Sequence, residues 1–220
     1  MSATRVVVFG ASTFSSLAWY CLTHDSEHEV VAFTVDSAFM TGSVHEGLPV
    51  VPFEDLSVAC PPDDVQLLIP MGYQQINGLR RARYETAKSQ GYRFVSYVSG
   101  RAGVWPDLQV GENCLIFDHA IIQPFAQIGD NVIVRSGAIV SHHCALASHV
   151  FVSAGAHLGG NVSVGEQAFI GLGAVLKHGL AIAPQTFVAA GAVVLADTEA
   201  DGVYIGNPAR RISRAARETI

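Results

Sequence analysis

The chain has 220 residues, 50% of them hydrophobic and 15% charged, with 21 glycines and a formal net charge of −6. This composition excludes a disordered chain, and the acidic balance gives no general electrostatic reason to bind nucleic acid. No run reaches the ~18 apolar residues of a membrane span, and "MSATRVVVFGAS" carries no secretory h-region; a cytoplasmic location is expected, with Cys21, Cys60, Cys114 and Cys144, which lack any CxxC spacing, as free thiols.

"RVVVFG" (5–10) is a short β-branched run ending in glycine and reads as a buried parallel strand. A helical stretch follows over roughly Phe14–Leu22, then a second strand, "EVVAFTVD" (29–36), that ends in Asp36. "VQLLIPMGY" (65–73) reads as a further strand and "INGLRRARYETAKSQG" (76–91) as a helix with a glycine stop. Alternating strands and helices predict a small parallel α/β sheet over residues 1–97. A glycine turn after the first strand and an acid after the second are the outline of a dinucleotide fingerprint. Only Gly10 of its glycines is present, so Gly10, Ala11, Ser12 and Asp36 point to a nucleotide-like group, or to a plain βα turn, and not to a full NAD site.

From residue 98 to 220 the pattern changes. Every sixth residue from Val110 to Val194 is Val, Ile or Leu, fifteen in succession, and Val98 and Val104 extend the series backwards. Four residues after each aliphatic the side chain is usually small, as at Cys114, Ala120, Ala138, Cys144, Ala156 and Ala174. This hexapeptide period predicts a parallel β-helix, three hexads to a triangular coil, with the aliphatics stacked inward and the small residues easing the corners.

The register places His142 third and His143 fourth in their hexad, at a corner and away from the core. Residues eighteen apart stack, so His142 shares a column with Pro124, Gly160 and His178, and the missing side chain of Gly160 leaves a gap beside an exposed imidazole. A ligand lying in that gap and a solvated corner histidine are both compatible with this position. Zinc would need several histidines to converge, but His119 and His149 fall on other edges. His24, His28, His45 and His157 carry no assigned role. Cys144, fifth in its hexad, reads as packing.

"VVVFGAS", Asp36, the solenoid, "SGAIVSHHC", "HLGGNVSVGEQAFIGLGAVL" and the terminal "VYIGNPARRI" together resemble the hexapeptide-repeat sugar acyltransferases. They are most similar to the branch with a small Rossmann-like N-terminal domain, which includes sugar-nucleotide N-acetyltransferases and proteins named as sialic acid O-acetyltransferases. The resemblance implies a left-handed β-helix, a homotrimer, and acetyl-CoA as co-substrate in the groove between adjacent solenoids, with no metal. It places the general base on His142 and a nucleotide-linked amino sugar at Gly10–Ser12 and Asp36. It implies coenzyme contacts at Gly160, whose N–H would meet the oxyanion, and at Leu172, Ala190, Arg210 and Arg211. The two arginines belong to a basic tail that otherwise reads as a solvated helix face. An acidic residue commonly follows the base in this family; here that position is His143, and Asp118 and Asp130 are candidates for the absent carboxylate. Sugar O-acetylation, a non-catalytic trimeric sugar-nucleotide binder and a zinc lyase are the alternatives.

Overall fold

The computed structural model describes residues 3–219. The N-terminal unit contains β1 (Arg5–Phe9), α1 (Thr13–Asp25), β2 (Glu29–Val35), β3 (Val44–His45), β4 (Leu48–Pro52), α2 (Leu56–Ala59), β5 (Gln66–Leu68) and α3 (Gly78–Ser89). Its strands form one sheet in the order β3-β4-β2-β1-β5, parallel throughout except for the β3–β4 hairpin. The hairpin is an addition to the elements expected from sequence. The run expected as a strand over 65–73 shortens to Gln66–Leu68, since Pro70 has no N–H to give to a ladder. Side chains alternate across β1: Val6 and Val8 join Ala18 and Leu22 of α1, while Val7 and Phe9 join Tyr84 and Ala87 of α3.

The second unit is a triangular parallel β-helix of two-residue strands. Ile133–Val134, for example, pairs with Leu115–Ile116 below and Phe151–Val152 above, an eighteen-residue step in each direction. The first face starts at Tyr97–Val98 and runs upward through Phe187–Val188 to Gly202–Ile205. The second face holds Ile121–Ile122, Ile139–Val140, His157–Leu158, Val175–Leu176 and Val193–Val194; the third runs from Gln127–Ile128 to Ala181–Ile182. From Ile116 to Val194 no first-position aliphatic is more than 6% exposed, and burying each such side chain contributes about 1.5–3 kcal/mol.

The corners differ from the expectation. The small fifth residues are inside the prism with the aliphatics. The chain turns one residue earlier, where every fourth residue from Asn113 to Gly191 adopts a left-handed φ between 55° and 74°. Glycine, asparagine and histidine tolerate that conformation best, which accounts for much of what occupies the position.

The first face carries the N-terminal unit. Its outward residues Leu115, Ile133, Phe151 and Phe169 share one core with β1 and α1. At the adjoining corner a buried ladder runs up the coils: the Asn113 amide donates to Asn131 (2.8 Å), the Asn131 amide donates to His149 Nδ1 (2.8 Å), and the Ile69 N–H donates to Asn113 (2.8 Å). Arg80 of α3 is fully buried against this ladder and donates to the carbonyls of Asn131 (2.7 Å) and His149 (2.8 Å). Burial lowers the Arg80 pKa to about 9, and burial together with Arg80 and Arg81 lowers that of His149 to about 4.

Candidate active site

His142 and His143 follow the strand Ile139–Val140, at the corner between the second and third faces, and both are exposed. His143 makes the turn, with φ 58°. This folds its ring back so that the two imidazoles meet edge to face, Nδ1 to Nδ1 at 3.2 Å. In such a contact one nitrogen donates and the other accepts. With His142 as donor, its Nε2 keeps the lone pair, on the side of the ring that abuts Gly160. The His143 ring rests on Phe125 one coil below, centroids 4.7 Å apart, and the His142 N–H donates to Gln123 Oε1 (2.9 Å).

Gly160 lies directly against the imidazole of His142. A Cβ at Gly160 would stand 2.5 Å from both Cε1 and Nε2 of that ring. Among the described residues the Gly160 N–H donates to no acceptor. His178 completes the column with its ring centroid 6.3 Å from that of His142. Cys144 is buried, its thiol 3.2 Å from the Gly159 carbonyl, and burial raises its pKa; it packs and is no nucleophile.

Neither candidate carboxylate reaches this corner. Asp118 belongs to the corner between the first and second faces, where it accepts from the Ser136 hydroxyl (3.0 Å). Asp130 belongs to the corner between the third and first, where it accepts from the Glu112 N–H (3.0 Å). The side chain in contact with His142 Nδ1 is that of His143.

The N-terminal candidates come together in a cleft of about 750 Å³ lined by Gly10, Ala11, Ser12 and Asp36. Gly10 takes a φ of +102° while its N–H donates to Thr34 (2.6 Å), which swings the chain from β1 into α1. Asp36 Oδ2 is held by Arg83, at 2.8 Å from Nη2 and 3.1 Å from Nε, and Oδ1 has no hydrogen-bond partner among the described residues. A free carboxylate oxygen in a cleft can accept from ribose hydroxyls.

Leu172 and Ala190 line a second cleft of about 640 Å³ between the first face and α1. They sit at the corner between the first and second faces, so the second face separates them from His142 within one chain. The basic tail is a strand, Arg210–Ala215, antiparallel to Gly202–Ile205, and not a helix face. The Arg211 Nη1 pairs with Glu199 at 3.1 Å and the Arg210 Nη1 donates to the Ala209 carbonyl at 3.0 Å. Among the described residues no three His, Cys, Asp or Glu side chains converge as around a metal ion, and among them no helix is long and apolar enough to cross a membrane.

Sequence reasoning missed Gln123, Arg80 and the outward aromatics Phe151, Phe169 and Phe187. The aromatics had a signal: large apolar residues recur every eighteenth position from Leu115, whereas the third face carries Gln127, Ala145, Ser163 and Ala181 in the equivalent places.

Comparison with known proteins agrees with this geometry. Residues 107–142 match the family model described as bacterial transferase hexapeptide (six repeats). No curated protein matches the sequence. Among solved structures, the acetyltransferase domain of PglB from Neisseria gonorrhoeae is 26% identical with a TM-score of 0.84, over 94% of this chain and 99% of that one. PerB from Caulobacter crescentus, in complex with CoA and GDP-perosamine, is 28% identical with a TM-score of 0.85, over 95% of this chain and 97% of that one. WeeI from Acinetobacter baumannii shares the fold, with 24% identity and a TM-score of 0.81, over 96% of this chain and 100% of that one. The chain thus has the left-handed hexapeptide β-helix and Rossmann-like N-terminal domain of the hexapeptide-repeat sugar acetyltransferases.

Proposed function

We propose, from this shared architecture, that the chain transfers the acetyl group of acetyl-CoA to the amino group of a nucleotide-linked amino sugar. The observation that carries this reading is the His142–His143 pair seated on Gly160, at the exposed corner of an acetyltransferase-type solenoid. The PerB complex with CoA and GDP-perosamine and the PglB complex with acetyl coenzyme A support the two substrate classes.

His142 Nε2 accepts the proton of the sugar amine as its nitrogen attacks the thioester carbonyl. His143 positions the ring through Nδ1. The tetrahedral oxyanion accepts from the unspent N–H of Gly160. Collapse expels the coenzyme thiolate, which recovers the proton from the His142 imidazolium; no acyl-enzyme forms. The nucleotide lies at Gly10–Ser12 and Asp36, and Leu172, Ala190, Arg210 and Arg211 serve the coenzyme.

His142 and the Leu172–Ala190 column lie on different corners of one prism, so the active site assembles between copies. A homotrimer, with each groove bounded by two chains, brings the corners together. The four free cysteines fit a cytoplasmic setting. The test is acetyl-CoA consumption against a panel of nucleotide-linked amino and hydroxy sugars, with the product identified by NMR. An N-acetylated product formed only with an amino sugar is expected. Transfer to hydroxyls alone, or to no member of the panel, would overturn the reading.

A further inference from the structure

On the first face, the residues just after the inward aliphatics run Phe117, Arg135, Ser153, Gly171, Ala189 from coil to coil. From Arg135 upward the column shrinks, and the vacated space is the 640 Å³ cleft. Its floor is aromatic: Phe169 stacks on Phe187 with centroids 4.9 Å apart, and Tyr73 leans on Phe169 at 4.5 Å. Thr13, Phe14 and Gly72 line this cleft and the Asp36 cleft alike, so the two are continuous.

Arg135 stands at the junction. Its Cζ lies 4.8 Å from the ring centroid of Phe14 and 4.5 Å from that of Phe117, and those two rings stack on each other at 6.0 Å, so the guanidinium rests beside an aromatic pair. Burial lowers its pKa. Asp118 acts on it electrostatically without reaching ion-pair distance, and among the described residues no acceptor takes a hydrogen bond from its guanidinium N–H groups. Arg81, Arg83 and Arg211 all have carboxylate partners, and Arg80 has backbone carbonyls. A half-buried charge is costly unless it is paired. Arg135 lines the cleft, and its guanidinium donors suit bidentate binding of phosphate oxygens.

We infer that Arg135 is the receptor for the diphosphate of a nucleoside diphosphate ligand lying along the joined clefts. The nucleoside occupies the Asp36 end, the linked sugar ring lies over the aromatic floor, and the charge falls between them, where Arg135 waits. This rests on reading the acceptor as a nucleotide sugar. Coenzyme A also contains a nucleoside diphosphate, and Leu172 and Ala190 border the same cleft, so the test separates the two sources.

Binding of UDP, GDP, CDP and dTDP, of the matching nucleosides, and of coenzyme A is measured by calorimetry on the full chain. One diphosphate should bind more tightly than its nucleoside. Arg135→Gln should weaken that diphosphate by about 10- to 100-fold, leave the nucleoside and coenzyme A unchanged, and Arg135→Lys should restore part of the loss. If Arg135→Gln fails to fold, Ser153→Asp places the missing counter-ion one coil above Arg135 and should abolish diphosphate binding in a folded protein. The inference is overturned if none of the four diphosphates binds, if neither substitution weakens the one that does, or if only coenzyme A binding falls. Binding is read without turnover. An inactive protein with Arg135-dependent diphosphate binding would refute the proposed reaction alone, and an active one indifferent to Arg135 would refute this inference alone.

Discussion

Gly160→Ala places a methyl group where the His142 imidazole now lies. The new Cβ would be 2.5 Å from Cε1 and Nε2, and 3.1 Å from Cδ2. Carbon contacts relax to ~3.5 Å, so the ring must retreat by about 1 Å. The three nearest atoms all belong to that ring, and the Gly160 backbone is not left-handed, so the fold accepts alanine and the imidazole yields. The retreat pulls Nδ1 from its 3.2 Å contact with His143 and carries Nε2 away from the amine. A misplacement of this size costs on the order of 10²-fold in rate. The kcat for thiol release from acetyl-CoA should therefore fall about 100-fold, while both KM values stay within about twofold and the melting temperature is unchanged. Full kcat in a folded, normally assembled Gly160→Ala protein would refute the reasoning.

His142→Ala or His142→Asn should lower turnover by about 10²–10⁴-fold with acetyl-CoA binding retained in calorimetry. His143→Ala should lower it less; an equal or larger loss would exchange the two roles. Asp36→Ala should raise KM for the nucleotide sugar and leave that for acetyl-CoA alone, and an unmoved acceptor KM would place the nucleotide elsewhere. Light scattering should give about three times the 23.3 kDa chain mass, and mixing two inactive variants altered on opposite sides of the groove should restore part of the activity through hybrid trimers. Activity in an isolated monomer would refute the shared site. His149 is neutral in the fold, its pKa lowered to about 4, whereas in the unfolded chain a histidine titrates near ~6.5. Between those values the unfolded state binds the extra proton, so stability falls as pH drops through that window, by up to about 3 kcal/mol. His149→Asn continues the asparagine ladder and should flatten the loss in denaturant titrations from pH 7 to 4; an unchanged slope would show that other groups cause it.

The inward half of the solenoid was legible because burial repeats every six residues without exception from Ile116 to Val194. The same count put His142 on a corner and Gly160 above it. The pairing of the histidines was not legible: adjacent residues point apart in most backbones, and it is the left-handed turn at His143 that brings their rings together. The tail's strand was hidden because its charges mask a partner reached only after the chain reverses at Gly206. Arg135 and Arg80 were invisible for another reason. Arg135 is one charge in an apolar run and Arg80 one of several in a polar helix, and the meaning of each lies in what the other domain places around it.

The aromatic face also limits how this protein can be rebuilt. Leu115, Ile133, Phe151 and Phe169 belong to the solenoid in sequence but to the N-terminal core in space. A solenoid expressed alone would expose that stripe to water as an adhesive surface. An N-terminal domain transplanted from a relative to alter the acceptor would meet side chains shaped for a different lid. Acceptor choice in this architecture is thus not a cassette. A working chimera has to carry the outward residues of every eighteenth position along with the domain they cover.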